Sequence, residues 1–357
     1  MRLVLIGVIL FVSVTAGACA RQSSSAAKRE SEASRFPELS IKQSLQTSAK
    51  LSSNLQLRTP SRLISATDGA RFVLPVSASF AESNDLYITD NNAHKILRWP
   101  ADSANAEVVS TDSEKGELKF PGTIHYAQNK LYVSDNDGIK VYSRDGKFER
   151  LIRSFIGIFF FTITDKQTIL ISPLIRNPEP EDPLLVELDM NGKQLRSFGH
   201  RTNGHNGIDD QAYLALSGNS VYVAYKHRPL VEIYSFESGS MVKSFNVNHP
   251  VFSTLEKELQ ARVVSEKQQQ GRVYVPRYLA GIEVWNGRLF ICLHLPEPEI
   301  WEMNEKGDLR QAYRITSLTP AVEMFGFDLH ANGENLNFSL GIIDSRWDAT
   351  VCELNLN

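Results

Sequence analysis

The sequence has little cysteine, no concentration of basic residues and no familiar catalytic motif. Its three cysteines form no C-x-x-C pair, which excludes zinc and redox sites of that type. The net charge is −3 and the Lys and Arg residues are scattered, so nucleic-acid binding is disfavoured. The G-x-S-x-G, H-E-x-x-H and Gly-rich phosphate-binding motifs do not occur. No reaction class is therefore indicated by a local motif.

The N-terminus has the pattern of an export signal. After Arg2, residues 3–14 are apolar, a run shorter than the roughly 20 residues that span a bilayer. The small residues Ala16 and Ala18 form an Ala-x-Ala cleavage pattern directly before Cys19. We expect residues 1–18 to be a signal peptide and to be removed.

The same stretch resembles the lipobox of bacterial lipoproteins, in which the cysteine is acylated and anchors the chain in a membrane. The resemblance predicts lipidation of Cys19 and a location at the cell envelope, facing the periplasm or the exterior. The chain departs from that pattern at Ala16, where the family prefers Leu. The alternative is ordinary cleavage, which leaves Cys19 free or absent.

A change in composition divides the remaining chain into two parts. Residues 19–50 are rich in Ser, Ala, Lys, Glu and Gln and predict a disordered tether. Residues 51–357 consist of short alternating apolar runs separated by Gly, Asn, Asp and Pro, which is typical of an all-β domain.

A β-pattern recurs six times in this domain, with 38 to 68 residues between successive copies. The copies begin at Leu86, Leu131, Ile169, Val221, Leu289 and Leu336. Most copies follow an Asn- or Gly-containing turn, and further alternating runs lie before and after each one. Each unit therefore predicts a four-stranded antiparallel meander, and six meanders predict a six-bladed β-propeller rather than the alternative β-sandwich.

Closure of the ring makes a separate prediction. The sixth unit stops after its third run, so its outer strand must come from elsewhere. A run at residues 54–57 or 62–66 precedes the first unit and is the candidate for this closing strand.

Residues 86–99 and 131–147 resemble NHL-type repeats, and the span from about Leu51 onward is similar to bacterial six-bladed propeller lipoproteins. The resemblance implies the fold. It implies no particular function, because propellers support many activities.

The long insertions fall in the loops between strands two and three of a blade and in the loops between blades, which share one face. We call it the loop-rich face. The longest insertion, about residues 248–278, predicts a short helix between blades four and five, with a capping box at Ser253 and Glu256. Concentration of insertions on one face favours recognition there, although loops also simply tolerate insertion.

Two groups of polar residues are candidate sites. Arginines and histidines that follow the second strand of their blades are expected near the channel mouth, where they would attract an anionic or carbohydrate ligand: Arg176, His227, Arg228, His294 and Arg346. A second group has ligand types suited to a divalent metal but matches no established spacing: His200, His205, Asp209 and Asp210. For both groups, solvated loop residues are the alternative.

The channel and the two remaining cysteines are less informative. Glu283, Asp328 and Asn332 lie in or near predicted inner strands, but no motif transfers to them the roles of the channel residues of calcium-dependent propeller lactonases.

Cys292 and Cys352 lie in apolar strand patterns and predict buried thiols, with a disulfide as the alternative.

The combined expectation is an exported, lipid-anchored propeller that acts as a binding or scaffold module at the cell envelope. Its partners would be the membrane, through the lipid, and a protein, peptide or carbohydrate on the loop-rich face. The alternative is a metal-dependent propeller hydrolase, lactonase or lyase with its site in the central channel. Three or more converging carboxylates or histidines in the channel would favour the enzyme.

Overall fold

The computed structural model describes residues 54–65, 72–109, 116–153, 157–175, 179, 181–201, 210–254, 256–257, 276–316, 321–332, 335–344 and 349–356. The predicted signal peptide and tether lie outside these residues. Within them, no helix is long and apolar enough to cross a bilayer. The described strands form six sheets, each built on an antiparallel meander, so the predicted six-bladed β-propeller is confirmed.

Four strands build each of the first four blades. Blade 1 contains β3 (Pro75–Phe80), β4 (Leu86–Asp90), β5 (Lys95–Trp99) and β6 (Glu107–Val109). Blade 2 contains β7 (Ile124–Ala127), β8 (Lys130–Asp135), β9 (Gly138–Ser143) and β10 (Phe148–Ile152). Blade 3 contains β11 (Gly157–Ile163), β12 (Ile169–Leu174), β13 (Pro183–Leu188) and β14 (Gln194–His200). Blade 4 contains β15 (Ala212–Ser217), β16 (Ser220–Tyr225), β17 (Leu230–Ser235) and β18 (Met241–Asn246).

The last two blades take strands from both ends of the domain. Blade 5 contains β19 (Leu279–Trp285), β20 (Arg288–Leu293), β21 (Glu299–Met303) and β22 (Leu309–Ile315). Blade 6 contains β23 (Ala321–Asn332), β24 (Asn335–Asp344) and β25 (Ala349–Asn355). Two N-terminal strands complete them: β1 (Leu55–Arg58) joins blade 5 and β2 (Arg62–Ser65) joins blade 6.

The ring is closed by β2, which pairs antiparallel with β25 as the fourth strand of blade 6. The other candidate run, β1, pairs parallel with β22 and gives blade 5 a fifth strand, which the sequence did not predict. Arg62 reinforces the closure, because it contacts Glu353 at 3.0 Å and its guanidinium lies 4.0 Å from the ring centroid of Trp99 in blade 1. The N-terminal strands therefore connect three consecutive blades.

The hydrophobic core is divided among the seams between blades. Six clusters of buried residues are found, and each combines residues of two neighbouring blades. The cluster containing Ala78 of blade 1 and Val351 of blade 6 closes the circle. A blade thus buries both of its faces only when both neighbours are present.

The recurring Asp at the end of the second strand has a structural role in blades 1 and 2. The Asp90 carboxylate accepts hydrogen bonds from the backbone N–H groups of Val73 and Leu74, at 2.6 and 3.0 Å. The Asp135 carboxylate accepts equivalent bonds from Lys119 and Phe120, at 3.0 and 2.7 Å. Each carboxylate therefore fixes the segment that leads into the first strand of its own blade.

A short helix lies between blades 4 and 5, as predicted, and its described residues are 250–254 and 256–257. The predicted capping box is wrong, because Ser253 lies inside the helix and its hydroxyl donates to the Pro250 carbonyl at 3.0 Å. His249 occupies the capping position instead, since its Nδ1 accepts the Val251 N–H at 3.2 Å. The capping acceptor is therefore a histidine nitrogen, whereas the capping-box pattern expects a Ser or Thr hydroxyl.

Candidate functional site

The first strands of all six blades line a central channel, which encloses a cavity of about 60 Å³. Polar groups from four blades face it: Ser77 and Ser79, Thr123 and His125, Glu283, and Asp328. Aromatic side chains also line the channel and narrow the cavity: Phe160, Phe161, Tyr213 and Phe327. Pockets for small organic ligands usually measure about 300–1,000 Å³, whereas this cavity has room for a few water molecules.

Most of these polar side chains bridge neighbouring blades. The hydroxyls of Ser77 and Ser79 accept the N–H groups of Ile124 and Tyr126, at 3.2 and 3.0 Å. His125 Nε2 lies 3.0 Å from the Thr162 hydroxyl in the next blade. These groups therefore have a structural reason to be in the channel.

Glu283 and Asp328 form an acid pair across the seam of blades 5 and 6. Asp328 Oδ2 accepts the Phe80 N–H at 2.6 Å, yet burial dominates and raises the pKa of Asp328 to about 6. Burial, together with the negative charge of Asp328, raises the pKa of Glu283 well above its usual range. Within this pair the charge of Asp328 therefore favours retention of the proton on Glu283.

A second concentration of titratable groups lies on the loop-rich face, where β16 ends and β19 begins. We call Lys226, His227, Arg277 and His294 the basic cluster. The Tyr278 N–H donates to the Lys226 carbonyl at 2.8 Å, and the His294 N–H donates to the Tyr278 carbonyl at 2.8 Å. These backbone bonds hold three separate chain segments together.

The two imidazoles of the basic cluster are neutral at physiological pH. Burial, together with the positive charges of Lys226 and Arg277, lowers the pKa of His227 to about 3. Burial and the same two cations lower the pKa of His294 to about 3. His227 Nδ1 donates to the Pro276 carbonyl at 2.5 Å, which leaves Nε2 as the acceptor nitrogen.

Two of the four candidate metal residues, His200 and Asp210, are among the described residues, and they differ in exposure. His200 is exposed at the end of β14, whereas Asp210 is buried. The Asp210 carboxylate contacts Arg228 at 3.1 Å and the buried Arg201 at 3.6 Å. Asp210 and the candidate ligand-binding residue Arg228 thus belong to one ion-pair network, in which Arg228 also lies 3.7 Å from the ring centroid of Tyr225.

Several predicted site residues lie outside the described residues: Cys19, Arg176, His205, Asp209 and Arg346. Among the described residues, no three His, Cys, Asp or Glu side chains group as a metal site would. His125, Glu283 and Asp328 all line the channel cavity, so three carboxylates or histidines share it, but they do not form a group that could hold a metal ion. Cys292 and Cys352 are free and buried in the same core cluster, and burial raises the pKa of both thiols.

Sequence reasoning found two members of the basic cluster, His227 and His294, but missed Lys226 and Arg277. Lys226 directly follows a second strand, just as His227 does, and the same positional rule would have identified it. Arg277 precedes a first strand, and only the pairing across the seam brings it to the others.

Comparison with known proteins supports the fold. No family model and no curated protein sequence matches the chain. Among solved structures, a protein of Bacteroides fragilis is similar at a TM-score of 0.52 and 12% identity, covering 85% of this chain and 99% of the other. A catalytically inactive virginiamycin B lyase from Staphylococcus aureus with quinupristin gives a TM-score of 0.51 at 12% identity, covering 83% and 99%. A Xanthomonas campestris gluconolactonase gives 0.50 at 14% identity, covering 82% and 89%.

These likenesses define the class of protein as a six-bladed β-propeller and assign no family within it. Their identities, 12 to 14%, show a shared fold alone. Function has to be argued from the residues of this chain.

Proposed function

We propose that this chain is a non-enzymatic ligand-binding propeller of the cell envelope, with its ligand site on the loop-rich face. The observation that carries the proposal is the contrast between the two concentrations of polar residues. The channel cavity, about 60 Å³, is too small for an organic ligand. The basic cluster instead lies on the face that carries the long insertions.

The envelope location rests on the sequence around Cys19. If the cysteine is acylated, the protein expressed with its signal intact fractionates with membranes, and the Cys19→Ser variant becomes soluble or stays unprocessed. Unchanged fractionation and gel mobility of this variant would reject lipidation.

The binding role is tested by thermal denaturation of the mature protein with neutral oligosaccharides, peptides and acidic small molecules. A ligand present at about 100 times its Kd stabilises a protein by about 2.7 kcal/mol, a shift that is readily measured. We expect at least one class to raise the Tm, and His294→Ala to reduce this shift while Lys306→Met, at the other end of β21, does not. The proposal fails if no class stabilises the protein and a lactone or ester is turned over instead.

A second candidate function is acid–base catalysis in the channel, favoured by the Glu283–Asp328 pair. A protonated carboxyl beside an ionised one can serve as general acid and general base. The gluconolactonase and the virginiamycin B lyase show that enzymes occur on this fold. The test is turnover of lactones by the purified protein, which Glu283→Gln would abolish if the pair were catalytic.

A further inference from the structure

We propose that the basic cluster binds an oxyanion, the carboxylate or phosphate group of a ligand, at the seam between blades 4 and 5. The inference rests on the proposed function in that it places the ligand on the loop-rich face. It goes further by naming the chemical group that is recognised and the side chains that recognise it.

Backbone hydrogen bonds hold the residues of the basic cluster in fixed positions. The cluster is held by strand ends and by the two 2.8 Å backbone bonds that join Lys226, Tyr278 and His294. Another backbone bond connects the Lys226 N–H to the Gln211 carbonyl at 2.9 Å, which ties the cluster to the first strand of blade 4. A binding site gains affinity when its groups are already in position, because less entropy is lost on binding.

The two cations of the basic cluster lie near aromatic rings of neighbouring blades. The Lys226 ammonium lies 5.9 Å from the ring centroid of Phe160, which lines the channel. The Arg277 guanidinium lies 5.8 Å from the ring centroid of Phe325 on β23. Both positive charges therefore lie beside first strands, one beside blade 3 and the other beside blade 6.

A buried histidine nitrogen in the basic cluster lacks a described hydrogen-bond partner. His294 Nε2 is buried and has no hydrogen-bond partner among the described residues. A buried polar atom normally has a partner, and lacking one costs free energy. When it carries a proton, this nitrogen is a donor for a ligand oxygen.

The electrostatic surroundings agree with an anion. Besides burial, which is the largest cause, the positive charges of Arg277 and Lys226 lower the pKa of His294. An oxyanion among them would offset this effect, so its binding must raise the pKa of His294. Binding and imidazole protonation are thus coupled, with the same sign for carboxylate and phosphate.

The experiment titrates the mature protein with sodium phosphate and, separately, with sodium acetate, at constant ionic strength maintained with sodium chloride. Isothermal titration calorimetry measures affinity, and ¹⁵N chemical shifts of the imidazoles report on His294, with the signal assigned by His294→Gln. We expect saturable binding of at least one anion, and a higher His294 pKa in a pH titration with the bound anion than in one without it. Comparison of the two anions shows whether phosphate or carboxylate is preferred.

Matched variants locate the site. Lys226→Met should weaken binding by about tenfold, the loss expected for one charge-assisted hydrogen bond. Lys306→Met removes the same charge from an exposed turn in blade 5 and should leave binding unchanged. If Lys226→Met does not fold, the presence of the site is decided by the titration of His294 in the wild type and by the anion affinity of Arg277→Gln.

Two results would overturn the inference. One is equal anion affinity in Lys226→Met and Lys306→Met, which would indicate diffuse surface binding. The other is a His294 pKa that is the same with saturating phosphate or acetate as without either anion. If neutral saccharides or peptides still stabilise the protein in the thermal assay, the proposed function survives and only the oxyanion site is rejected.

Discussion

The backbone N–H of Tyr278 donates to the carbonyl of Lys226 at 2.8 Å, across the seam between blades 4 and 5. This bond joins the segment entering β19 to the end of β16. Arg277 precedes Tyr278 in sequence, and His227 follows Lys226. The bond therefore brings Arg277 and His227 to the same region of the loop-rich face. The strand ends, rather than a flexible loop, therefore define the basic cluster.

Closure of the ring can be tested by truncation. A chain beginning at Gly69 lacks β1 and β2, so β25 would expose unpaired backbone groups and an apolar edge. We expect it to be insoluble, or to lose several kcal/mol of a total stability of roughly 5–15 kcal/mol, relative to a chain beginning at Ser44. A chain beginning at Ser61, which retains β2, should be intermediate in urea denaturation. Equal stability of all three would show that the ring closes in another way.

The close approach of two first strands predicts a sensitive glycine. A Cβ atom added at Gly281 would lie 2.4 Å from the Phe327 Cβ, in the seam between blades 5 and 6. Gly281→Ala should therefore lower the free energy of unfolding by about 1–3 kcal/mol. Gly218→Asn is the control, since its Cβ meets nothing within 4 Å and Asn tolerates positive φ. A loss no larger than in the control would disprove the contact.

The buried ion pair of blade 2 predicts a large effect from one lysine and a small effect from another. Lys140 Nζ contacts Asp135 at 2.7 Å, and both side chains are almost completely buried. Lys140→Met should cost about 3–5 kcal/mol, because it leaves a buried carboxylate without its cation. Lys130→Met breaks only the more exposed pair with Glu149 and should cost less than about 1 kcal/mol. Chemical denaturation that gives similar losses for both variants would contradict this account.

The channel acid Asp328 predicts a pH dependence of stability. Its pKa is raised from 3.8 to about 6, so the folded protein holds this proton more tightly than the unfolded chain does. The stabilisation from protonated Asp328 is complete below pH 3.8 and is lost as the pH rises through 6. Between pH 4 and 7, the free energy of unfolding of Asp328→Asn should therefore rise relative to that of the wild type, by up to about 3 kcal/mol.

The measurement is urea denaturation of both proteins across this range. Asp145→Asn, in an exposed turn of blade 2, serves as the control for removal of a carboxylate. A constant difference between Asp328→Asn and the wild type would show that this carboxyl does not titrate within the window.

The repeated strand pattern was sufficient to predict the blades, because alternating apolar residues and Asn- or Gly-containing turns are local signals. Asn84 and Asn286, at two predicted turns, do have positive φ angles of 63° and 49°. The parallel pairing of β1 with β22 was not predictable, since nothing in residues 55–58 specifies a parallel partner. The hydrogen bonds of Asp90 and Asp135 to the preceding segment also depend on three-dimensional contacts.

The candidate sites were harder to predict than the fold for the same reason. His227 and His294 were found by their positions after second strands, but their low pKa values arise from burial and from Arg277, which is distant in sequence from both. Similarly, Asp210 has a ligand-like side chain in the sequence, and only the fold shows that Arg201 and Arg228 surround it.

Hydrogen–deuterium exchange with and without saturating sodium phosphate, at constant ionic strength, tests most directly where this protein binds its ligand. The account predicts slower exchange at residues 226–228, 276–278 and 294, with no change in the segment around Glu283 and Asp328. Protection confined to the channel strands β19 and β23, with the basic cluster unaffected, would contradict the assignment of the binding site to the loop-rich face.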